Sequence, residues 1–450
     1  MTADKLPVMP KWKILLSLRS FMKNPIPMID ESIQKHGDSY ITYPGGKNKT
    51  IITRDPGLIK HVMQKNHSNY EKSVIQTDLL SKYIGKGLLT INGSYWLKQR
   101  RVIQPGFHKK KLNALVAIMN KAIIEYCNEL EQQIVVNPEV DMAEEMTKIT
   151  LHVVSKSLFS TGIDRKDTNY LGNSITKLQY AIIKDIRMPF LKWWRSLIGY
   201  TKASIQLAAE TQQMLMKIIE ARKEAIERPD DLLEMLLNVR YEDTGKPMTD
   251  QQVLEESLVL FVAGHETSAN AMTWMHYLLD DHPEEKAIIL NEIKENENLQ
   301  LNIDFVMQMK HISHAISESM RLYPPAWITD RVALAADEYQ GIIINKGDIV
   351  APYIFGAHRD ERKWNKPGEF IPDRFKKENI KKMDPYSYFP FGGGPRLCIG
   401  QQFALIEMQL IIYHLYRKFD FKLVPNQSIE MQPLVTLRPR NGIKMNIKKR

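Results

Sequence analysis

Residues Phe389 to Gly400 read FPFGGGPRLCIG, three consecutive glycines, a proline and an arginine leading to Cys398. The 450-residue chain has one other cysteine, Cys127. Two thiols are too few for a disulfide framework or a four-thiolate zinc site, so Cys398 acts as a single thiol. Gly392, Gly393 and Gly394 permit positive φ and let backbone approach a flat, bulky object. Beyond Gly400, QQFALIEMQLIIYHLYRKF has a helical period, which puts Cys398 just before a helix whose first amides stabilise a thiolate. Such a thiolate is a metal ligand or a nucleophile. A nucleophile needs a base close by, and the local sequence offers none; Arg396 can instead pair with an anion.

Three further constellations carry chemistry. Glu318 and Arg321, in HAISESMRLYPPAW, are three apart, share one helical face and can pair. Ala263-Gly264-His265-Glu266-Thr267 interrupts the apolar helical stretch LVLFVAGHETSANAMTW with small and polar residues. Taken alone this is a kink, since glycine is unfavourable mid-helix and a threonine hydroxyl can bond back to the preceding turn. Trp96 and Arg100, followed by Arg101 and Pro105-Gly-Phe107, place an indole N–H and a guanidinium on one face, both suited to donating to carboxylates.

Phe391, Gly394, Arg396, Cys398 and Gly400 match in order and spacing the haem-binding loop of the cytochrome P450 monooxygenases. The three other motifs follow in that family's order, so the sequence resembles the family from about residue 25 to its C-terminus. The resemblance implies haem b with Cys398 as axial thiolate, dioxygen as co-substrate, and NAD(P)H acting indirectly through a redox partner. It gives Gly264 the role of leaving room for dioxygen, and makes Thr267 and Glu266 the alcohol–acid pair that relays protons. Trp96, Arg100, Arg331 and Arg396 are implied to bind the haem propionates. Glu318, Arg321 and Arg374 of IPDRF are implied to form a buried charge network that holds the cysteine loop; Asp373 stands where the family commonly has Glu. The implied fold is mainly α, a large helical body with a small β-sheet subdomain and haem between the long central helix and the cysteine loop.

The elements that must position these residues are partly visible in the pattern. Amphipathic helices are expected over 112–133, 141–159, 199–227, 250–281 and 312–322, with Pro283 ending the longest apolar one. SYITYPGGKNKTIITRD alternates around a Pro-Gly-Gly turn, and GIIINKGDIVAPY offers two β-rich runs around Asn345-Lys346-Gly347. No repeat, low-complexity tract or linker breaks the chain. It is expected to be a single haem domain, β-rich over about 38–55 and 330–390 with a C-terminal hairpin, and helical over about 90–325 and 400–418.

With 43% hydrophobic residues the chain can bury a large core. It has no run of ~18 apolar residues, and its N-terminal ILLSL core is short, so no signal peptide or membrane anchor is expected and a cytoplasmic monomer is. The +10 net charge is spread along the chain without a nucleic-acid motif. Lys98, Arg100, Arg101, Lys109, Lys110 and Lys111 cluster, and an acidic partner could dock there. The resemblance, with the chain ending 50 residues after Gly400, leads us to expect a separate ferredoxin or flavodoxin with its reductase, docking near Lys98, Arg101 and Lys109.

Position in the family's order suggests a substrate pocket lined by Gly87, Leu88, Leu89, Phe261, Val262, Ala263, Trp327, Ile328, Leu434 and Val435. Most are apolar, favouring hydroxylation of a fatty acid or terpenoid; O-demethylation of a methylated sugar or aromatic ether is the alternative. RMPFLKWWRSLIGY, 187–200, is a lid, a membrane contact or packing. Competing classes are a peroxide-driven enzyme of the same fold, which commonly lacks the acid–alcohol pair; a non-catalytic haem or gas-binding protein; and a thiol enzyme using Cys398 as nucleophile. Cys127 reads as a packed residue.

Overall fold

A computed structural model describes residues 6–10, 18–44, 49–160, 163–188, 191–297 and 299–450. The chain forms two compact units, Met1–Ser73 with Ser317–Cys398 and Ile429–Arg440, and Val74–Ile316 with Ile399–Ser428 and Asn441–Arg450.

The larger unit is helical. Its principal helices are α1 (Gly93–Ile103), α2 (Lys109–Val136), α3 (Met142–Phe159), α4 (Arg165–Arg187), α5 (Tyr200–Glu224), α6 (Asp250–Asp281) and, after α7 (Lys310–Leu322) carries the chain out of it, α8 (Gln401–Lys418). Their starts follow from capping chemistry. The Asp141 and Asp164 carboxylates accept from backbone N–H groups of the first turns of α3 and α4. Thr249 and Gln252 close a reciprocal capping box at the head of α6. Pro283 opens the next helix and ends α6 at Asp281, as the proline predicts. α6 packs most extensively against α3 through buried residues along both helices.

α4 lies inside the expected helical body but was not among the amphipathic stretches named in it. Its buried face reads Thr168, Leu171, Gly172, Ser174, Ile175, Leu178, Ala181 and Ile182, so small and polar residues fill half the positions a hydrophobic count would score. A three-stranded sheet of Glu139–Asp141, Lys444–Lys449 and Phe419–Leu423 completes this unit.

The smaller unit holds the sheet expected near both ends of the sequence. Strand order is Ser39–Thr42, Thr50–Thr53, Ile349–Pro352, Arg331–Ala333, Tyr70–Glu71. Thr50–Thr53 pairs in parallel with Ile349–Pro352, Thr50 opposite Ile349, while the other strand pairs of this sheet are antiparallel and Val8 adds an isolated parallel bridge to Ile41. The two β-rich runs around Asn345-Lys346-Gly347 separate: Ile342–Ile344 pairs with Asp337–Tyr339, whereas Ile349–Pro352 joins the larger sheet. The expected hairpin near the end is Met431–Pro433 against Leu437–Pro439. Gly45 and Gly46 of the Pro-Gly-Gly turn lie outside the described residues.

Candidate active site

Backbone hydrogen bonds shape the cysteine loop. The Gly392 N–H donates to the Phe389 carbonyl at 2.9 Å, and the Cys398 N–H donates to the Phe391 carbonyl at 3.0 Å. Between them Gly394–Arg396 makes one 3-10 turn. Gly394 has φ 64°, and a Cβ there would collide with the carbonyl oxygen of Met63, so both conformation and space demand glycine. Cys398 is exposed; Cys127 is buried on α2, where burial pushes its thiol up to about 12. Cys398 is therefore the accessible thiol and Cys127 a packed one.

Arg331 opens its strand with its side chain buried. Burial first, and then the charge of the neighbouring Arg396, bring the Arg331 guanidinium down to about 10. Burial lowers Arg396 as well, offset in part by Glu71. Two neighbouring cations in a poorly solvated place favour an anion between them.

Glu318, Arg321 and Arg374 come together behind the loop. Arg321 donates Nε to Glu318 Oε2 at 2.7 Å and Nη2 to Oε1 at 2.8 Å, both residues fully buried. Arg374 Nε reaches Glu318 Oε1 at 3.2 Å, and the Ile371 N–H donates to the same oxygen at 2.9 Å. The remaining Arg321 donors go to the carbonyls of His358, Pro367 and Glu369, and the guanidinium lies 5.0 Å from the Trp364 ring centre. Every charge here is paired and hydrogen-bonded, which is what burying it requires.

In the larger unit, α6 divides by face. Ala263 is exposed, and Val262, Gly264, Glu266 and Thr267 are half-buried, whereas Phe261 and His265 are buried on the other side. Phe261 packs on Phe159, ring centres 6.3 Å apart, and its carbonyl pairs with His265 Nδ1 at 2.9 Å. Phe261 is thus a core residue and not a pocket residue: two positions along a helix turn it about 200° from Ala263. Burial lowers the basicity of His265, with the Phe261 carbonyl and the Glu266 charge acting the other way. Thr267 Oγ1 donates to the Ala263 carbonyl at 2.9 Å, and Glu266 Oε2 accepts from Gln179 Nε2. Gln179 is a partner that sequence reasoning missed, because it sits on α4 with no local signal linking it to Glu266.

Trp96 and Arg100 lie one turn apart on α1; Trp96 is buried with Leu88 and Ile91, and Arg100 is half-buried. The Leu88 N–H is held by Glu256 Oε2 at 2.9 Å and its side chain is core, while Leu89 is half-buried. In the smaller unit Trp327 is also largely buried. It is 7% exposed, packs with Ile328 against Tyr353, and donates Nε1 to the Leu434 carbonyl at 3.1 Å. Leu434 and Val435 form the tip of the C-terminal hairpin, and Val435 is exposed.

Much of the basic cluster is neutralised. Lys98 pairs with Asp243 at 3.0 Å, Lys109 with Asp304 at 2.9 Å and Lys111 with Asp230 at 2.5 Å, whereas Arg101 and Lys110 are exposed with no carboxylate partner among the described residues. At the centre of the 187–200 segment Trp193, Trp194, Leu197 and Ile198 are 63%, 50%, 72% and 57% exposed. Between them Arg195 turns inward, to Asp185 at 2.9 Å.

Comparison with known proteins places these residues in a family. The cytochrome P450 family model matches residues 6–447. Echinocystic acid 23-monooxygenase of Saponaria officinalis is 29% identical over 94% of this chain and 84% of its own length. Protein LUTEIN DEFICIENT 5, chloroplastic, of Arabidopsis thaliana is 26% identical over 91% of this chain and 73% of its own. A solved cytochrome P450 haem domain superposes with a TM-score of 0.86 over 99% of this chain and 98% of that one, at 22% identity, which shows the fold. The cytoplasmic expectation does not stand. It rested on the lack of an apolar run, yet a relative is chloroplastic by name; among the described residues no helix is long and apolar enough to cross a membrane, and that property assigns no compartment. The chain belongs to the cytochrome P450 family.

Proposed function

We propose that this monooxygenase hydroxylates a small apolar organic substrate, with Cys398 as the residue whose thiolate would hold the haem iron. The observation that carries the proposal is the cysteine loop itself: an accessible thiol on a loop that only glycine can close, with Arg331 and Arg396 beside each other in the same unit. The family implies a haem held by a cysteine thiolate, and the residues present fit it. A single exposed thiol supplies the ligand, and the two neighbouring guanidiniums suit its carboxylates. When bound, the haem supplies the dioxygen chemistry, with thiolate electron donation favouring O–O cleavage.

The chain's own residues provide positioning and protons. Gly264 keeps the accessible face of α6 clear of a side chain, and Ala263 and Val262 make that face apolar. Thr267 Oγ1, its proton engaged by the Ala263 carbonyl, presents its lone pairs outward to accept from a donor. Gln179 fixes the orientation of the Glu266 carboxyl, the acid of the pair that would relay protons. The network of Glu318, Arg321 and Arg374 keeps the segment ahead of the loop in one conformation.

The test is the absorbance of the reduced protein under carbon monoxide, for wild type, Cys398→Ser and Cys127→Ser. A strongly red-shifted Soret band that survives Cys127→Ser and disappears in Cys398→Ser is expected. A band indifferent to Cys398 would overturn the assignment. Substrate-induced spin shifts across fatty acids, terpenoids and methyl ethers then rank the substrate classes.

Reducing equivalents come from a redox partner, and we take a ferredoxin or flavodoxin as the candidate. Since Lys98 and Lys109 are already paired with carboxylates, the electrostatic attraction at this surface rests on Arg101 and Lys110. Reversing Arg101 and Lys110 to Glu should slow reduction by ferredoxin and flatten its salt dependence, with a smaller effect from neutralising Lys98 and Lys109 to Gln. Equal effects from the two double variants would refute this docking site.

A further inference from the structure

His358 belongs to none of the motifs above, yet it is fully buried between two parts of the smaller unit that matter to Cys398. On one side, its carbonyl accepts Arg321 Nη1 at 3.0 Å, inside the network built on Glu318. On the other, its Nε2 accepts the backbone N–H of Phe389 at 2.9 Å. Phe389 is the first residue of the cysteine loop: its carbonyl takes the Gly392 N–H, and two residues later the Phe391 carbonyl takes the Cys398 N–H. The imidazole also stacks on Tyr388 at 5.1 Å and meets the Phe389 ring edge-on at 5.6 Å, and Tyr388 Oη donates to the Ser317 carbonyl on α7 at 3.0 Å.

Because Nε2 accepts, the ring proton sits on Nδ1, which faces the Met320 and Arg321 carbonyls but has no partner at strict hydrogen-bond distance among the described residues. The charged groups facing the ring are Arg321 and Arg359. Burial first, then those two guanidiniums, bring the imidazole down to about 3, so it remains an acceptor across the working pH range. A protonated ring would have no lone pair for the Phe389 amide, and a side chain without an acceptor would leave that amide a buried, unsatisfied donor.

We infer that His358 is a positioning residue for the proximal thiolate: through Nε2 it ties the start of the cysteine loop to the Glu318–Arg321 pair and so fixes where Cys398 stands. The inference rests on Cys398 being the residue that would hold the haem. It assigns His358 no contact with substrate, haem or the reacting atoms.

Three variants separate the acceptor from the packing. His358→Gln places its side-chain oxygen near the position of Nε2, His358→Asn places it near Nδ1, and His358→Leu keeps bulk without an acceptor. Two readouts are taken on the haem-loaded full chain: the rate at which the red-shifted carbon monoxide band converts to an unshifted one under mild denaturant, and amide hydrogen exchange at Phe389. The expected result is conversion and exchange about ten-fold faster in His358→Leu and His358→Asn, restored to within about three-fold of wild type by His358→Gln. Equal behaviour of all three variants, whether unchanged or equally impaired, would overturn the inference, since packing alone would then account for the residue. If wild type itself shows no red-shifted band, the Cys398 assignment fails. Exchange at Phe389 still decides whether the histidine holds the loop, and a Phe389 amide indifferent to the substitution overturns that as well.

Discussion

Glu407 shows how one buried group can set a pH dependence. It lies fully buried on α8, nine residues after Cys398, and burial pushes its carboxyl up to about 8. The Ser268 hydroxyl faces it and offsets a little of that effect, but at strict hydrogen-bond distance neither carboxyl oxygen has a partner among the described residues. A carboxyl raised in the folded state is protonated there while the unfolded chain ionises above its ordinary value of 4.5. Its contribution is therefore fully present below that value and is lost as pH rises toward 8, by at most about 1.4 kcal/mol per pH unit. Glu407→Gln should match wild type near pH 4.5 and become progressively the more stable protein up to pH 8. Denaturation midpoints that keep a constant difference over that range would show the carboxyl is not the source. The opposite arrangement holds at Glu318, whose charge is matched on every side. Glu318→Gln leaves Arg321 and Arg374 buried without their anion and should cost about 3–5 kcal/mol, read as thermal stability and as haem retention in the same preparation.

At the scale of elements, α6 carries the most function and is the best specified. Its capping box, its end before Pro283 and its core-facing side are all local consequences of residue type. Thr249→Ala removes the cap and should lower stability by about 1 kcal/mol in denaturant titration, while the haem spectrum and the spin shift on substrate addition stay as in wild type. A changed spin shift would mean that fraying at the N-terminus reaches the accessible face around Ala263. α4 plays a quieter part: it brings Gln179 to Glu266, so the acid of the α6 motif is oriented by a helix 87 residues away in sequence.

For the whole molecule, the feature that stands out is the exposed apolar patch on the larger unit. Trp193 and Trp194 meet edge-on, ring centres 5.9 Å apart, with Leu197, Ile198 and Ile205 also exposed. No acidic residue occurs between Asp185 and Glu210, a span that carries Arg187, Lys192, Arg195 and Lys202. Tryptophans beside basic residues are the composition that settles at the headgroup level of an anionic bilayer. The full chain should co-sediment with vesicles rich in phosphatidylserine more than with phosphatidylcholine vesicles, and lose that binding in Trp193→Ser with Trp194→Ser. Binding insensitive to the two tryptophans would leave the patch unexplained by lipid.

The sequence by itself determined what depends on neighbours along the chain. The glycine spacing before Cys398, the pairing of Glu318 with Arg321 on one helical turn, and the bounds of α3, α6 and α8 all follow from short-range sterics, capping and periodicity. Only the tertiary structure decided which face of each element is covered. It turned Phe261 and Trp327 into core, left Ala263 accessible, matched Lys98 and Lys109 with carboxylates 145 and 195 residues away, and set His358 against Phe389. Such contacts are set by packing between segments remote in sequence, and no local pattern encodes them.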